Sequence, residues 1–209
     1  MLNTTIAALD FSENYILEDD CILLRPLEEN DCNNLLEFSL NEPETWKYGL
    51  ITAAGEANLK QYINDALKGR TDKHMYPFIV YDKITKQYAG STRFYDVKNN
   101  FRTTQLGYTW YGERFRGTSL NKRCKKLLFE FAFEKMNFIR VELRADILND
   151  RSVAAMKSIG CTVEGILRQD VPNLFGGRRT SIVLSILQEE WHATVKEKIT
   201  QQIISKNAN

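Results

Sequence analysis

The chain has 209 residues, 43% hydrophobic and 26% charged, which is enough for one well-buried core or at most two small domains. A formal net charge of +1 argues against broad electrostatic binding of nucleic acid. Two histidines and four cysteines without C-x-x-C spacing (Cys21, Cys32, Cys124, Cys161) argue against a metal site or a disulfide framework, and fit reduced, buried thiols.

No apolar run has the length of a membrane span, and the start MLNTTIAALDFSENYILEDD lacks a basic n-region and an apolar h-region. The expectation is a cytosolic protein with no membrane partner. Residues 1–20 read as a short extension, 21–190 as a single domain and 191–209 as a C-terminal helix. Cys21 to Leu27 reads as a strand, and Glu28 to Ser39 as a helix opening in acidic residues, which suit the helix dipole. Asn41 to Tyr48 is a short helix or turn. Ala53 to Gly69 carries Ala57, Leu59, Tyr62, Ile63, Ala66 and Leu67 at helical spacing. Pro77–Tyr81 and Gln87–Val97 read as strands joined by a turn at Asp82–Lys86, and Asn99 and Asn100 turn the chain into a strand at Thr103–Tyr111.

From Leu120 to Asn137 the pattern is an amphipathic helix. Leu120, Cys124, Leu127, Leu128, Phe131, Ala132 and Met136 share one face, and Lys122, Arg123, Lys125 and Lys126 form a basic face that reads as mostly solvated, with contact to a further ligand phosphate left open. A strand (Ile139–Ala145), a capped helix (Asn149–Gly160), two strands (Thr162–Arg168 and Thr180–Leu187) around a loop with Gly176 and Gly177, and a helix from about Gln188 to Ser205 complete the chain. A strand meander followed by alternating units predicts an α/β fold, with a mixed sheet of about seven strands flanked by helices.

The loop ERFRGTS opens directly into the helix at Leu120. First-turn N–H groups lack intrahelical partners and the dipole favours an anion there, so this is a place to hold a phosphate. Gly117 removes a side chain that would keep a pyrophosphate from the backbone, and Arg114 and Arg116 offer charge-assisted hydrogen bonds. The bland alternative is a solvated basic loop. A P-loop is a poor fit, because the second glycine and the Lys-Ser/Thr pair are missing.

Arg114, Gly117 and Ser119 occupy the fixed positions of a Gln/Arg-x-x-Gly-x-Gly/Ala pattern, with Ser119 departing from Gly/Ala. With GYTW, RGTSLN, RVELRAD, NDRS, IGCTVEGILRQD and SILQEEW in order, the segment Gly107 to Trp191 resembles the RimJ/RimL-like branch of the GNAT N-acetyltransferases. LLRPLEENDCNNL is similar to that family's first strand and helix. The resemblance implies an acyl-CoA N-acyltransferase fold and transfer of acetyl from acetyl-CoA to a primary amine. The acceptor is left open between a protein α-amine and a small-molecule amine. No metal or nucleic-acid partner is implied, and a homodimer is left open.

The resemblance also implies roles. The pyrophosphate falls to the amides of Arg116 to Asn121 (Gly117, Thr118, Ser119 and Leu120 between them), with the Arg114 and Arg116 side chains and the Thr118 hydroxyl. The pantetheine arm falls beside Tyr108 to Tyr111, Trp110 included, provided the neighbouring strand splays away at a bulge. Asn149, also a helix N-cap, would bond the arm, and Ser152 would lie near the sulfur. Met156 stands where many relatives carry a tyrosine acid, so Ser152 becomes the candidate proton donor. The loss of that tyrosine also admits a non-catalytic coenzyme A-binding sensor or partner subunit. An α-amine of pKa about 7.7–8.0 is roughly 10–15% neutral at pH 7, so one carboxylate acting through water would suffice as base. Asp170 and Glu142 are the candidates. Cys161 reads as a core filler, and direct attack without a covalent enzyme intermediate is expected. Trp46, Tyr48, Phe94, Tyr95 and Phe175 are candidates for the acceptor wall.

Overall fold

The computed structural model describes residues 8–207. Eight strands form one sheet in the order β1-β2-β3-β4-β5-β6-β8-β7. They are β1 (Leu17–Glu18), β2 (Ile22–Pro26), β3 (Met75–Asp82), β4 (Gln87–Lys98), β5 (Thr103–Tyr111), β6 (Arg140–Asp146), β7 (Thr162–Pro172) and β8 (Arg178–Leu187). The β5–β6 pair is parallel and the other pairings are antiparallel. The eighth strand is the two-residue β1, which comes from the segment read as an extension. The described part of that segment is strapped to the body from Leu9 on. Leu9 is buried and exchanges two hydrogen bonds with the Asn99 amide, and Arg70 donates to the carbonyls of Phe11 and Glu13.

Helices cover both faces. α1 (Asp31–Asn41) and α2 (Glu56–Thr71) lie on one, and α3 (Leu120–Glu130) lies on the other. Adjacent β4 residues show the division: Arg93 meets Tyr62 of α2, while Thr92 reaches Lys125 of α3 through Thr109. α1 starts at Asp31, three residues later than its acidic run suggests. The Asp31 carboxylate is buried, takes a bidentate pair from Arg25 and accepts the Glu28 N–H, which fixes the turn before the helix. α3 widens into a π-helical turn at Phe131–Lys135. α4 (Asp150–Ser158) follows β6. α5 (Gln188–Glu190), a π-helical turn (Trp191–Val195) and α6 (Lys196–Asn207) form the closing helix, pinned by the buried Trp191, whose indole N–H donates to Glu134. Among the described residues no helix is long and apolar enough to cross a membrane.

Candidate active site

The strands around β5 create an opening. Its pairing with β6 stops after three register pairs, Thr103 with Arg140, Thr104 with Val141 and Gln105 with Glu142, although β6 continues to pair with β8 through Asp146. On its other side β5 carries an extra residue: Gly107 faces Arg93 and Trp110 faces Ser91, with Tyr108 in the left-handed region at φ 50°. The bulge turns the second half of β5 away from β6. It also drives the Trp110 carbonyl against Gly90, where a Cβ would sit 2.0 Å from that oxygen. Gly90 is therefore needed for the close approach.

The resulting cleft holds about 630 Å³. β5, β6, the start of α3, α4, the α1–α2 connection and the β7–β8 end line it. Six of its lining side chains are cationic (Arg116, Lys122, Lys125, Arg144, Arg151 and Arg179), against two carboxylates, Asp146 and Asp170. Such an imbalance favours anionic ligands.

At the α3 end, Gly117 has φ 73° and open space where a Cβ would stand. The N–H groups of Gly117, Thr118, Ser119, Asn121 and Lys122 have no acceptor among the described residues, whereas the Leu120 N–H is taken by the Thr118 hydroxyl. The Arg116 N–H is used by Glu113. Arg116 lines the cleft but braces it, donating from Nε to the Tyr111 carbonyl (2.9 Å) and from a terminal nitrogen to Thr45 (2.6 Å). Burial, then the neighbouring Arg151, lowers its pKa, and the carboxylates of Glu42 (3.8 Å) and Glu113 (3.4 Å) oppose that shift only in part. Arg114 is a correction. Its guanidinium bonds Glu37 (3.0 Å) and lies over the rings of Phe38 and Phe115, outside the cleft. The aromatic shelf and the α1 carboxylate outcompete an empty loop for it. Ser119 and Leu120 do not line the cleft either, and Leu120 is core.

The basic face of α3 is less solvated than its helical pattern predicts. Arg123 is buried against Asp19 at 2.7 Å, in the strapped N-terminal segment. Lys125 is 5% exposed, lines the cleft and has one side-chain bond, to Thr109 Oγ1 at 3.3 Å. Burial pushes its ammonium down to about 8. A cation whose pKa falls on folding lowers stability in full below the folded value. The penalty fades as pH rises toward the unfolded value. Lys125→Met should therefore raise the melting temperature of the ligand-free protein at pH 7, by the equivalent of about 1–3 kcal/mol. The gain should vanish near pH 10.5, and thermal unfolding across that range checks both halves.

Along the middle of the cleft, Tyr108, Trp110 and Tyr111 line the β5 wall. Their backbone is only partly open: the Tyr108 carbonyl accepts from Tyr62 Oη (3.1 Å) and the Tyr111 carbonyl from Arg116. Burial raises the phenol pKa values of Tyr95, Tyr108 and Tyr111, which makes them hydrogen-bond donors rather than bases near neutrality. Opposite, Asn149 is the N-cap of α4, accepting the Ser152 N–H at 3.1 Å, and both residues line the cleft. The Ser152 hydroxyl has no partner among the described residues. Met156 lines the cleft beside them. Burial holds the thiols of Cys124 and Cys161 up at about 12, so they stay protonated and poorly nucleophilic.

The far end separates the two base candidates. Asp170 does not follow a strand, as its position in the sequence suggests. It sits inside a bulge of the longer β7, where Leu167 faces Ser181 and Val171 faces Arg179. Gln169 takes φ 50°, and Arg178 clamps the bulge through the Gln169 and Asp170 carbonyls. The bulge aims the Asp170 carboxylate into the cleft, where it accepts the Ser181 hydroxyl at 3.0 Å. Glu142 is not brought there. Arg140 and Arg144 hold it at 3.0 and 2.7 Å, outside the lining. Of the aromatic candidates, Trp46, Tyr48 and Tyr95 line the wall, Phe94 is core and Phe175 is exposed away from it. Tyr62, Arg179 and Ser181, which no motif marks, also belong to the lining. For Arg179 and Ser181, the period-2 alternation of β8 was the available signal.

Residues 22–162 match the sequence profile of the Acetyltransferase (GNAT) domain family. The chain belongs to that family and is an acyltransferase. It is 25% identical over 175 residues to p20 of Bacillus licheniformis, named as an uncharacterized N-acetyltransferase, covering 81% of this chain and 94% of that one. A relative from Bacillus subtilis (strain 168), named "Putative ribosomal N-acetyltransferase YdaF", is 25% identical over 176 residues, covering 81% and 93%. The fold matches a GCN5-related N-acetyltransferase from Brucella melitensis (TM-score 0.83, 22% identity, 91% of this chain and 86% of that one). It also matches Mycobacterium smegmatis RimJ, solved in complex with CoA-disulfide (TM-score 0.76, 16% identity, 90% and 93%). The two structural likenesses show a shared fold.

Proposed function

We propose that the protein transfers acetyl from acetyl-CoA to a primary amine by direct attack, with the two substrates meeting in the opening between β5 and β6. The observation that carries this reading is that opening, with its free N–H groups at one end and the Asp170 carboxylate at the other. The chain fits the cosubstrate. The N–H groups of Gly117, Thr118, Ser119, Asn121 and Lys122 would take the pyrophosphate, with Thr118, Arg116 and Lys122 around them. Bound there, acetyl-CoA supplies an activated thioester.

The chain's own residues do the rest. The β5 wall from Tyr108 to Tyr111 and the Asn149 amide orient the arm. Asp170, tied to Ser181, accepts the proton of the attacking amine, directly or through a water. Ser152 presents its hydroxyl as proton donor to the leaving thiolate. The protonated cysteines favour a route without an acetyl-enzyme. A screen over amines should show thiol release matched by an acetylated product, and Ser152 and Asp170 give the sensor reading less support than transfer. Tight acetyl-CoA binding with no transfer to any amine would instead favour a sensor.

A further inference from the structure

Among the described residues, two buried guanidinium groups lie in the sheet with no carboxylate within ion-pair distance. Arg179, on β8, is 7% exposed and lines the cleft. Its Nε donates to Ser181 Oγ at 2.9 Å. Its two terminal nitrogens have no partner, and no carboxylate lies within ion-pair distance among the described residues. Arg93, on β4, is 1% exposed, with Nε and one terminal nitrogen unpaired. It is held between the rings of Tyr62 (4.5 Å) and Tyr108 (4.2 Å), both of which line the cleft. Burying a cation without a carboxylate in contact is expensive, and an arriving anion would recover part of that expense. These groups are on the tyrosine-lined side, with Tyr95 and Arg144. The cations at the phosphate end (Arg116, Lys122, Arg151) come from other elements.

Ser181 ties the unpaired cation to the proton acceptor. Its hydroxyl receives from Arg179 Nε and donates to Asp170 Oδ1 at 3.0 Å. A cation and a carboxylate thus face the same space two hydrogen-bond lengths apart. Resting on the proposed acetyl transfer, we infer that the acceptor is a small zwitterion: an amine that meets Asp170 and, a few bonds away, a carboxylate that seats on Arg179. α-Amino acids have this chemistry. Polyamines and amino sugars lack the anion, and a peptide α-amine carries no adjacent carboxylate. The walls of Tyr48, Leu50, Tyr62 and Tyr95 leave an apolar surface for the rest of the molecule.

The test compares each amino acid with its carboxamide, which keeps the amine and removes the charge. Wild-type kcat/KM should fall at least about tenfold on amidation, within the range for losing a charged hydrogen-bonded partner. Arg179→Gln should raise KM for the acid at least about tenfold more than for the amide and so erase the preference, while Arg179→Lys should restore part of it. A binding readout stands apart from turnover: with coenzyme A present, N-acetyl amino acids should raise the melting temperature of the wild-type protein more than their amides do. Equal treatment of acid and amide in both measurements, or faster acetylation of a peptide or polyamine, would overturn the inference. Failure of the transfer reading alone would look different. No amine would release thiol, yet the acid would still stabilise the fold more than the amide.

Discussion

Gly117→Glu is expected to abolish coenzyme A binding in a protein that remains folded. In the wild type, a ligand that binds only the native state at about 100 times its dissociation constant adds roughly 2.7 kcal/mol, read as a rise in melting temperature. Gly117 has no neighbour within 4 Å of a would-be Cβ, so a glutamate side chain fills open space at the free N–H groups and sets a like charge against phosphate. The backbone at φ 73° adds a strain of about 1–2 kcal/mol for any residue with a Cβ. Gly117→Ala carries that strain without the charge and isolates it. The alanine variant should melt lower but keep a clear ligand shift, and the glutamate variant should show none. A full shift in a folded Gly117→Glu protein would put the phosphates elsewhere.

The second large effect is in turnover. Asp170→Asn keeps the size of the side chain and an acceptor for the Ser181 hydroxyl, and removes the proton acceptor. Loss of a positioned general base typically lowers the rate by about 10²–10⁴-fold. The expected result is a fall of that order in kcat, with the acetyl-CoA dissociation constant unchanged, because Asp170 lies at the end of the cleft away from α3. Glu142→Gln is the matching control. It should leave kcat within a few-fold, since Glu142 is already held by Arg140 and Arg144 outside the cleft. An unchanged kcat in Asp170→Asn would remove the residue from the chemistry.

Local pattern made much of the fold legible. β5 occupies the predicted span, and the Asn149 cap, Gly117 and Thr118 stand where spacing and turn chemistry put them. Long-range competition decided the rest. Arg114 belongs to the loop by sequence, but Glu37 and the Phe38 ring, both from outside that loop, capture it together with the loop's own Phe115. Lys125 and Arg123 look solvated on a helical wheel. One is sunk by the splay of β5 and β6, and the other by the N-terminal segment folding back with Asp19. Asp170 was visible as a carboxylate in the right region, but only the β7 bulge aims it inward, and a two-residue register shift leaves no mark in composition. The splay has the same character. It depends on Tyr108 adopting φ 50°, a conformation no residue preference predicts for a tyrosine.

The central claim is that an amine attacks a thioester directly within the β5–β6 opening. The most direct measurement is the initial rate of thiol release with both acetyl-CoA and the amine varied, together with the intact mass of the protein after acetyl-CoA alone. Intersecting double-reciprocal lines, thiol release that requires the amine and an unchanged protein mass are the predicted result. Parallel lines with an acetylated protein, or no amine-dependent thiol release at all, would contradict it.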